Sequence, residues 1–234
     1  MVRDVVVAGG TGEVGRQLLA RLAEHPGLRV RALVRRPGLP VSASNLQEEH
    51  LDFEDEAACR RSLEGPCDLL LIAVGTTRAK AGSSDAFLAV DRDLPLRLIR
   101  TLADVHPQAR VGLVSSAGAD RPRGLYLQAK AEVEAALAAT GLAHAVARPS
   151  FLVSDRREFR WAERLVLGLL APAWLALGRA LFPRSRGWWR WAPVHVREVA
   201  ESLLAAALAL EPGERRLLES LDLHPGPVPT WGKP

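Results

Sequence analysis

Residues 5–22 read VVVAGGTGEVGRQLLARL, an apolar run followed by closely spaced glycines and then by residues with helical spacing. The glycines fit the pattern G-x-x-G-x-x-G at Gly9, Gly12 and Gly15, with Gly10 in addition. A glycine directly after a strand permits a tight turn, and a second one lets backbone N–H groups approach a phosphate where the next helix begins. Gly15 would let that helix pack closely on the strand. The stretch therefore predicts a phosphate-binding turn that opens a βαβ unit.

The first two-thirds of the 234-residue chain alternate short apolar runs with longer stretches of helical spacing. The expected strands are residues 4–8, 28–34, 68–74, 109–115 and 143–148, with one more short strand near residues 50–53. The expected helices are residues 13–24, 55–63, 86–105, 126–140 and 196–210. Apolar strands that alternate with helices predict an α/β fold, a Rossmann-like doubly wound parallel sheet.

The alternation stops after Pro149, and residues 156–192 are rich in tryptophan, proline and arginine. We expect one domain, residues 1–234, in which residues 1–150 form a dinucleotide-binding core and residues 151–234 form a small C-terminal cap with the substrate region. Aromatic side chains in the cap predict either an apolar pocket or a core or interface contact; they are Phe159, Trp161, Trp174, Phe182, Trp188, Trp189 and Trp191. Arg156 and Arg157 are candidates to bind a carboxylate or phosphate of the substrate.

Composition excludes several other classes of protein. The net charge is only +4, and no basic run is interleaved with aromatic residues, so we do not expect a nucleic-acid partner. The two cysteines and six histidines have no metal-ligand spacing. The longest uncharged apolar run, residues 165–178, is shorter than the roughly 20 residues of a transmembrane helix. The first expected strand begins at residue 4 and leaves no room for a signal peptide, which predicts a cytoplasmic protein. The sequence is compatible with a homodimer.

The end of the second expected strand bears on the choice of cofactor. Dinucleotide-binding folds that use NAD commonly place a carboxylate there, which binds the ribose hydroxyls. This chain has Arg35 and Arg36 at that position, and a guanidinium can hold the 2′-phosphate of NADP(H) through two parallel hydrogen bonds. The alternative is that both arginines are solvated loop side chains. The fold further predicts Asp52 and Phe53 near the adenine, and the backbone of Ala73, Val74 and Gly75 near the cofactor's ribose.

Residues 113–137, LVSSAGADRPRGLYLQAKAEVEAAL, carry side chains suited to proton transfer. Ser115 and Ser116 end a strand, and Tyr126 and Lys130 lie four residues apart on one face of a helix. A nearby ammonium stabilises a tyrosinate, so such a tyrosine can exchange a proton with a carbonyl or alcohol while a nicotinamide carries the hydride. One serine hydroxyl would hold the same oxygen, and the residues alone leave open which serine does so.

Six motifs in order along the chain resemble a known family; they are GGTGEVG, VDRDLPLRL, SSAGAD, YLQAKAEVE, ARPSFLVSDR and PVHVREVAESLLAA. The sequence is similar to the atypical short-chain dehydrogenase/reductases, and within them to the Tat-interacting-protein oxidoreductase-like proteins. The resemblance implies a catalytic set of Ser116, Tyr126 and Lys130, with Lys130 also bonding the nicotinamide ribose. It implies further cofactor contacts at Thr11, Glu13 and Val14 near the pyrophosphate, at Ser115, and at Pro149, Ser150 and Phe151 near the nicotinamide.

Two functions follow from these patterns. The first is an NADP(H)-dependent reductase or dehydrogenase of the short-chain type, which acts on a small carbonyl or alcohol substrate. The second is an NADPH-binding sensor that changes a partner surface with little or no turnover, because a fold of this kind supports cofactor binding more firmly than it supports a reaction. The serine, tyrosine and lysine favour the enzyme.

Overall fold

Seven parallel strands form the central sheet of the computed structural model, which describes residues 2–154, 174, 176–178, 180–182 and 184–224. These strands are β1 (Asp4–Ala8), β2 (Arg29–Val34), β3 (Leu46–His50), β4 (Leu69–Ile72), β5 (Arg110–Val114), β6 (Ala143–Ala147) and β9 (Arg215–Leu218). Their order across the sheet is β3-β2-β1-β4-β5-β6-β9, and every neighbouring pair is parallel. The predicted Rossmann-like fold class is confirmed.

Helices cover both faces of the sheet because the buried strands are apolar on both sides. Val5 and Val7 pack with α1 (Glu13–Ala23) and α8 (Val196–Leu208) on one face. Val6 and Ala8 pack on the other face, since successive side chains of a strand point in opposite directions. The helices of that second layer are α2 (Glu56–Glu64), α5 (Leu94–Val105) and α6 (Gly124–Ala139).

The order of the strands places a crevice at the carboxyl ends of β1 and β4. From β1 the chain builds outward through β2 to β3, and it then returns to the other side of β1 to form β4. In open parallel sheets, ligands bind where the strand order reverses in this way. The topology therefore puts the residues that follow β1 and β4 at the expected binding edge.

Two strands of the seven-stranded sheet differ from the expectation. The strand predicted near residues 50–53 was wrong in its bounds, because the chain pairs with β2 earlier, from Leu46 to His50. The sequence of β3, LQEEH, is polar and none of its residues is fully buried, so it lacks the apolar run of a central strand. Strand β9, RRLL, was not predicted for the same reason, and it extends the sheet beside β6.

The helix expected at residues 86–105 is built from three consecutive segments. It begins as α4 (Ser84–Leu88), continues as a π-helical segment at Ala89–Asp93 and becomes α5 at Leu94. A further short helix, α3 (Arg78–Ala81), precedes it. The π-helical segment buries the carboxylate of Asp91, which is only 1% exposed.

Beyond residue 150, the described chain contributes both to the sheet layers and to a smaller region beside them. In this smaller region β7 (Leu152–Val153) pairs with β8 (Val194–His195), near α7 (Arg186–Arg190) and a 3-10 helix at Ser220–Leu223. The Trp188 ring stacks on both Trp174 and Phe182, with centroid distances of 4.2 and 4.8 Å. The predicted candidates Arg156, Arg157, Phe159 and Trp161 lie outside the described residues. None of the described helices combines the length and the apolar composition of a membrane span.

Candidate functional site

The glycine loop packs tightly between β1, β4 and α1. Gly9 has a φ of +91°, and a Cβ atom there would lie 2.5 Å from the carbonyl carbon of Ala73 at the end of β4. A Cβ atom on Gly15 would lie 2.0 Å from the Gly9 carbonyl oxygen. Only glycine fits either place, since one needs a left-handed backbone and the other needs close helix–strand contact.

The start of α1 faces this loop without a side-chain cap. Gly12 is the N-cap residue and its N–H donates to the Gly9 carbonyl at 2.9 Å. The first N–H groups of a helix have no partner inside the helix, and together with the helix dipole they attract anions. Glu13 stands in the first turn, and Val14 and Gly15 are buried behind it. The local structure is that of an anion-binding turn.

Most of the residues predicted to meet the cofactor's phosphates, ribose and adenine line one cleft of about 400 Å³. They are Gly9, Thr11, Gly12, Arg35, Arg36, Asp52, Phe53, Ala73, Val74 and Gly75. The cleft walls also include residues that the sequence reasoning missed, namely Leu33, Val34, Glu54, Ala89, Val90 and Leu94. Residues that follow four neighbouring strands, β3, β2, β1 and β4, therefore line one cleft.

The two arginines in the cleft are exposed and carry no ion pair within the described part of the chain. They differ in this from Arg31 on the preceding strand β2, whose guanidinium lies 2.9 Å from the Glu49 carboxylate. Asp52 lines the same cleft, but its carboxylate already accepts a hydrogen bond from the Glu54 N–H at 3.0 Å. Arg35 and Arg36 are therefore free to bind an anion in the cleft.

The two candidate serines have different surroundings. Ser115 is 4% exposed and its Oγ donates to the Glu134 carboxylate. Glu134 also receives two N–H donors of Arg148, at 3.0 Å from Nε and 2.5 Å from Nη2, and this bond raises the pKa of the Arg148 guanidinium. Ser116 is only half-buried, and its Oγ makes a single long contact of 3.5 Å with the Ala117 carbonyl. Ser116 is thus the serine whose hydroxyl is available to a ligand.

Tyr126 and Lys130 lie on one face of α6, as their spacing predicts. The Tyr126 side chain is 42% exposed, and its ring lies 6.1 Å from that of Phe87, centroid to centroid. The Lys130 Nζ lies 5.8 Å from the Tyr126 ring centroid. The Tyr126 side chain is therefore accessible to a ligand, and the buried Lys130 ammonium lies near its ring.

Lys130 has a buried carboxylate partner that the sequence reasoning missed. Its Nζ lies 3.0 Å from Oδ1 of Asp91, and the two side chains are 7% and 1% exposed. Oδ2 of Asp91 accepts the Thr76 N–H at 2.8 Å, and Thr76 directly follows Gly75 of the cleft. The sequence contained one signal for this partner. Asp91 precedes Leu94 by three positions and Leu98 by seven, which places an acidic residue on the apolar face of the expected helix. Asp91 therefore joins the lysine of α6 to the chain that leaves β4.

The segment after β6 lies beside the serines and outside the cleft. The Pro149 carbonyl accepts the Ala117 N–H at 2.8 Å, and the Ser150 Oγ donates to the Ala192 carbonyl. Phe151 is 62% exposed. The predicted residues thus form two groups, a cleft around the glycine loop and a second group around Ser116 and Tyr126, which are joined through Asp91.

Comparison with known proteins identifies the family. Residues 9–163 match the sequence profile described as NAD(P)H-binding, and this range covers more than half of the chain. The chain belongs to this NAD(P)H-binding family. The rat protein HTATIP2 (Rattus norvegicus) is 34% identical over 180 residues, which are 74% of this chain and 73% of the relative. The protein fmp52 of Emericella nidulans is 31% identical over 194 residues, covering 79% and 80% of the two chains. The predicted resemblance is confirmed.

Solved structures share the fold of this member of the NAD(P)H-binding family. MoeE5 in complex with UDP-glucuronic acid and NAD superposes with a TM-score of 0.69 at 18% identity, covering 92% of this chain and 75% of MoeE5. A short-chain dehydrogenase/reductase superfamily protein from Agrobacterium tumefaciens, with bound NAD, gives a TM-score of 0.68 at 19% identity, with 93% and 77% covered. Both likenesses show the fold alone.

The relatives in the NAD(P)H-binding family correct one expectation. The predicted cytoplasmic location is contradicted, because fmp52 of Emericella nidulans and its counterpart from Coccidioides immitis are named mitochondrial proteins. The second of these is 29% identical over 216 residues, which are 87% of this chain and 85% of that relative. A strand close to the first residue therefore does not identify the compartment.

Proposed function

We propose that the protein is an NADP(H)-dependent oxidoreductase that interconverts a small carbonyl compound and its alcohol. One observation carries the proposal. The start of α1, which has no side-chain cap, and the unpaired Arg35 and Arg36 line a single cleft of about 400 Å³. The Asp91–Lys130 pair then connects that cleft to Tyr126. Cofactor binding and proton transfer would thus take place at adjoining parts of one site.

The residues of the cleft fit the cofactor. A Cβ atom on Gly12 would lie 3.3 Å from the Gly9 carbonyl oxygen, so a larger residue there would crowd the loop whose N–H groups would hold the pyrophosphate. Arg35 and Arg36 would hold the 2′-phosphate, because a guanidinium binds phosphate oxygens through paired hydrogen bonds. Phe53 and Asp52, which line the same cleft, would lie beside the adenine.

The residues around Tyr126 support transfer of a proton. Bound NADPH would supply a hydride to the carbonyl carbon and would be converted into NADP⁺. The Tyr126 hydroxyl donates its proton to the carbonyl oxygen, which becomes the hydroxyl of the alcohol, and the Ser116 Oγ donates a hydrogen bond to the same oxygen. Lys130 stabilises the tyrosinate that remains. In the reverse direction the tyrosinate accepts the proton of the alcohol.

The preference for NADPH is tested by replacing one arginine. We expect Arg35→Ala to weaken NADPH binding roughly tenfold or more, because a charge-assisted bond to the 2′-phosphate is lost, and to leave NADH binding almost unchanged. Titration followed by energy transfer from tryptophan to nicotinamide measures both. Arg100→Ala, which removes an exposed arginine of α5, is the matched control.

The outcomes of this titration separate the two functions. An equal loss of NADPH and NADH binding in Arg35→Ala would contradict the role of the arginine. A second outcome is that NADPH binds tightly but is not oxidised by any of a broad set of aldehydes and ketones. That result would favour the sensor function over the oxidoreductase. Binding of neither cofactor to the folded protein would overturn the proposal as a whole.

The assignment of the serine is tested by a matched pair of variants. We expect Ser116→Ala to lower kcat about a hundredfold, because the reacting oxygen loses a hydrogen-bond donor. Ser115→Ala should keep most of the activity and lose about 1 kcal/mol of stability, because its hydroxyl bonds the Glu134 carboxylate inside the protein. Steady-state kinetics and denaturant unfolding of both variants check this. A larger loss of kcat in Ser115→Ala would reverse the assignment.

A further inference from the structure

The connection between Ser116 and Tyr126 carries two unpaired positive charges. Arg121 and Arg123 are exposed, and neither has an ion-pair partner within the described ranges. The one acidic residue of this connection, Asp120, is paired with Arg190 on α7, and this bond holds the pKa of the Asp120 carboxyl below its usual range. The connection therefore presents two uncompensated guanidinium groups.

The backbone that carries these arginines is compact between Ser116 and Tyr126. The Ala119 N–H donates to the Ser116 carbonyl at 3.2 Å, and the Arg121 N–H donates to the Gly118 carbonyl at 3.0 Å. Two tight turns thus follow Ser116 directly. Arg123 is then the N-cap residue of α6, whose first turn includes Tyr126. Both ends of the connection belong to the proposed catalytic set, and its middle is held compact.

Three aromatic side chains near this connection are exposed. Tyr126, Trp191 and Phe151 are 42%, 52% and 62% exposed, so their rings are accessible to a ligand. The Trp191 ring lies beside Gly118, where an added Cβ would be 3.9 Å from the ring edge and 3.2 Å from Leu127. The Ser150 Oγ bonds the Ala192 carbonyl, so the segment that carries Phe151 runs beside the segment that carries Trp191.

We infer that the substrate is an anionic carbonyl compound with an aromatic or other apolar body. This inference rests on the proposed oxidoreductase function and names the class of substrate for the same site. Tyr126, Trp191 and Phe151 contact the apolar body, because flat aromatic surfaces bind apolar groups without ordering a long flexible side chain. Arg121 and Arg123 bind the negative end, a carboxylate, and so hold the carbonyl near Ser116 and Tyr126.

Binding of two unreactive probes tests the inference. The probes are cinnamate and cinnamamide, which share an aromatic body and differ in charge, and their affinity for the NADP⁺-loaded protein is measured by calorimetry. We expect cinnamate to bind about tenfold more tightly than cinnamamide, as two partly exposed ion pairs would give. Arg121→Gln/Arg123→Gln should remove this difference. Trp191→Ala should weaken both probes alike, because it removes apolar contact and no charge.

Control variants and controls on the cofactor separate the outcomes. Arg100→Gln/Arg215→Gln removes two exposed arginines at other places, on α5 and at the start of β9, and should keep the preference for cinnamate. Equal affinity for the two probes, or binding of neither, overturns the inference. When either of these results is obtained with a preparation that binds NADPH, the inference about the substrate fails and the proposed function still stands. If cinnamate is preferred through Arg121 and Arg123 but no cofactor binds, the anion site stands and the oxidoreductase fails.

Discussion

Tyr126→Phe should lower turnover by about a hundredfold to ten-thousandfold while NADPH binding and thermal stability stay close to those of the unaltered protein. The variant loses only the hydroxyl that carries the proton. It keeps the ring that packs against Phe87 at 6.1 Å and that lies near the Lys130 ammonium. Oxidation of NADPH with the best carbonyl substrate from a screen measures the rate, and cofactor titration measures the binding.

A neighbour of Tyr126 provides the control for that variant. Gln128 is exposed on the same turn of α6 and contacts none of the proposed catalytic groups through a hydrogen bond or ion pair found in the described chain. Gln128→Ala should therefore keep the full rate. A Tyr126→Phe protein that turns over as fast as Gln128→Ala would show that the proton comes from another group, and the catalytic role of Tyr126 would have to be given up.

Asp91→Ala should destabilise the protein by about 3–5 kcal/mol, because it leaves the Lys130 ammonium buried without a partner. The substitution also removes the acceptor of the Thr76 N–H, which is bonded at 2.8 Å. Asp91→Asn retains an oxygen for that N–H and should lose less stability. Denaturant unfolding followed by tryptophan fluorescence gives the free energy of unfolding for each variant.

Two comparisons test whether the unpaired charge is the cause. Asp91→Leu/Lys130→Met replaces both charges by apolar groups, so it should regain much of the lost stability while it stays inactive. Glu64→Ala breaks the exposed pair with Arg60 on α2 and should cost at most about 1 kcal/mol. An Asp91→Ala protein that loses no more stability than Glu64→Ala would contradict the buried ion pair.

The parts of the fold that were predictable are those with a local signal. Strands β1 and β4 are apolar on both faces, and the glycine loop has the spacing expected between a strand and a helix of a βαβ unit. The edge strands β3 and β9 have no such signal, because each has one open side and a polar sequence. Their place in the sheet depends on pairing with β2 and β6, which is a contact between distant parts of the chain.

The same distinction applies to the site. Residues that directly follow parallel strands, such as Arg35 and Gly75, could be assigned to one edge because the topology brings all strand ends together. The partners of Lys130 and Ser115 could not, since Asp91 and Glu134 reach them only through the packing of α4, α5 and α6. The spacing of Tyr126 and Lys130 predicted their common face but gave no information about what lies opposite it.

The π-helical segment at Ala89–Asp93 limits how the length of this chain can change during evolution. Each residue of a helix adds about 100° of rotation, so a net loss or gain of one residue here would turn α4 about its axis relative to α5. Phe87 would then leave the Tyr126 ring, although neither residue was altered. Exposed loops often tolerate insertions and deletions, but at this segment a change in length would be equivalent to a change of side chains at the proposed site.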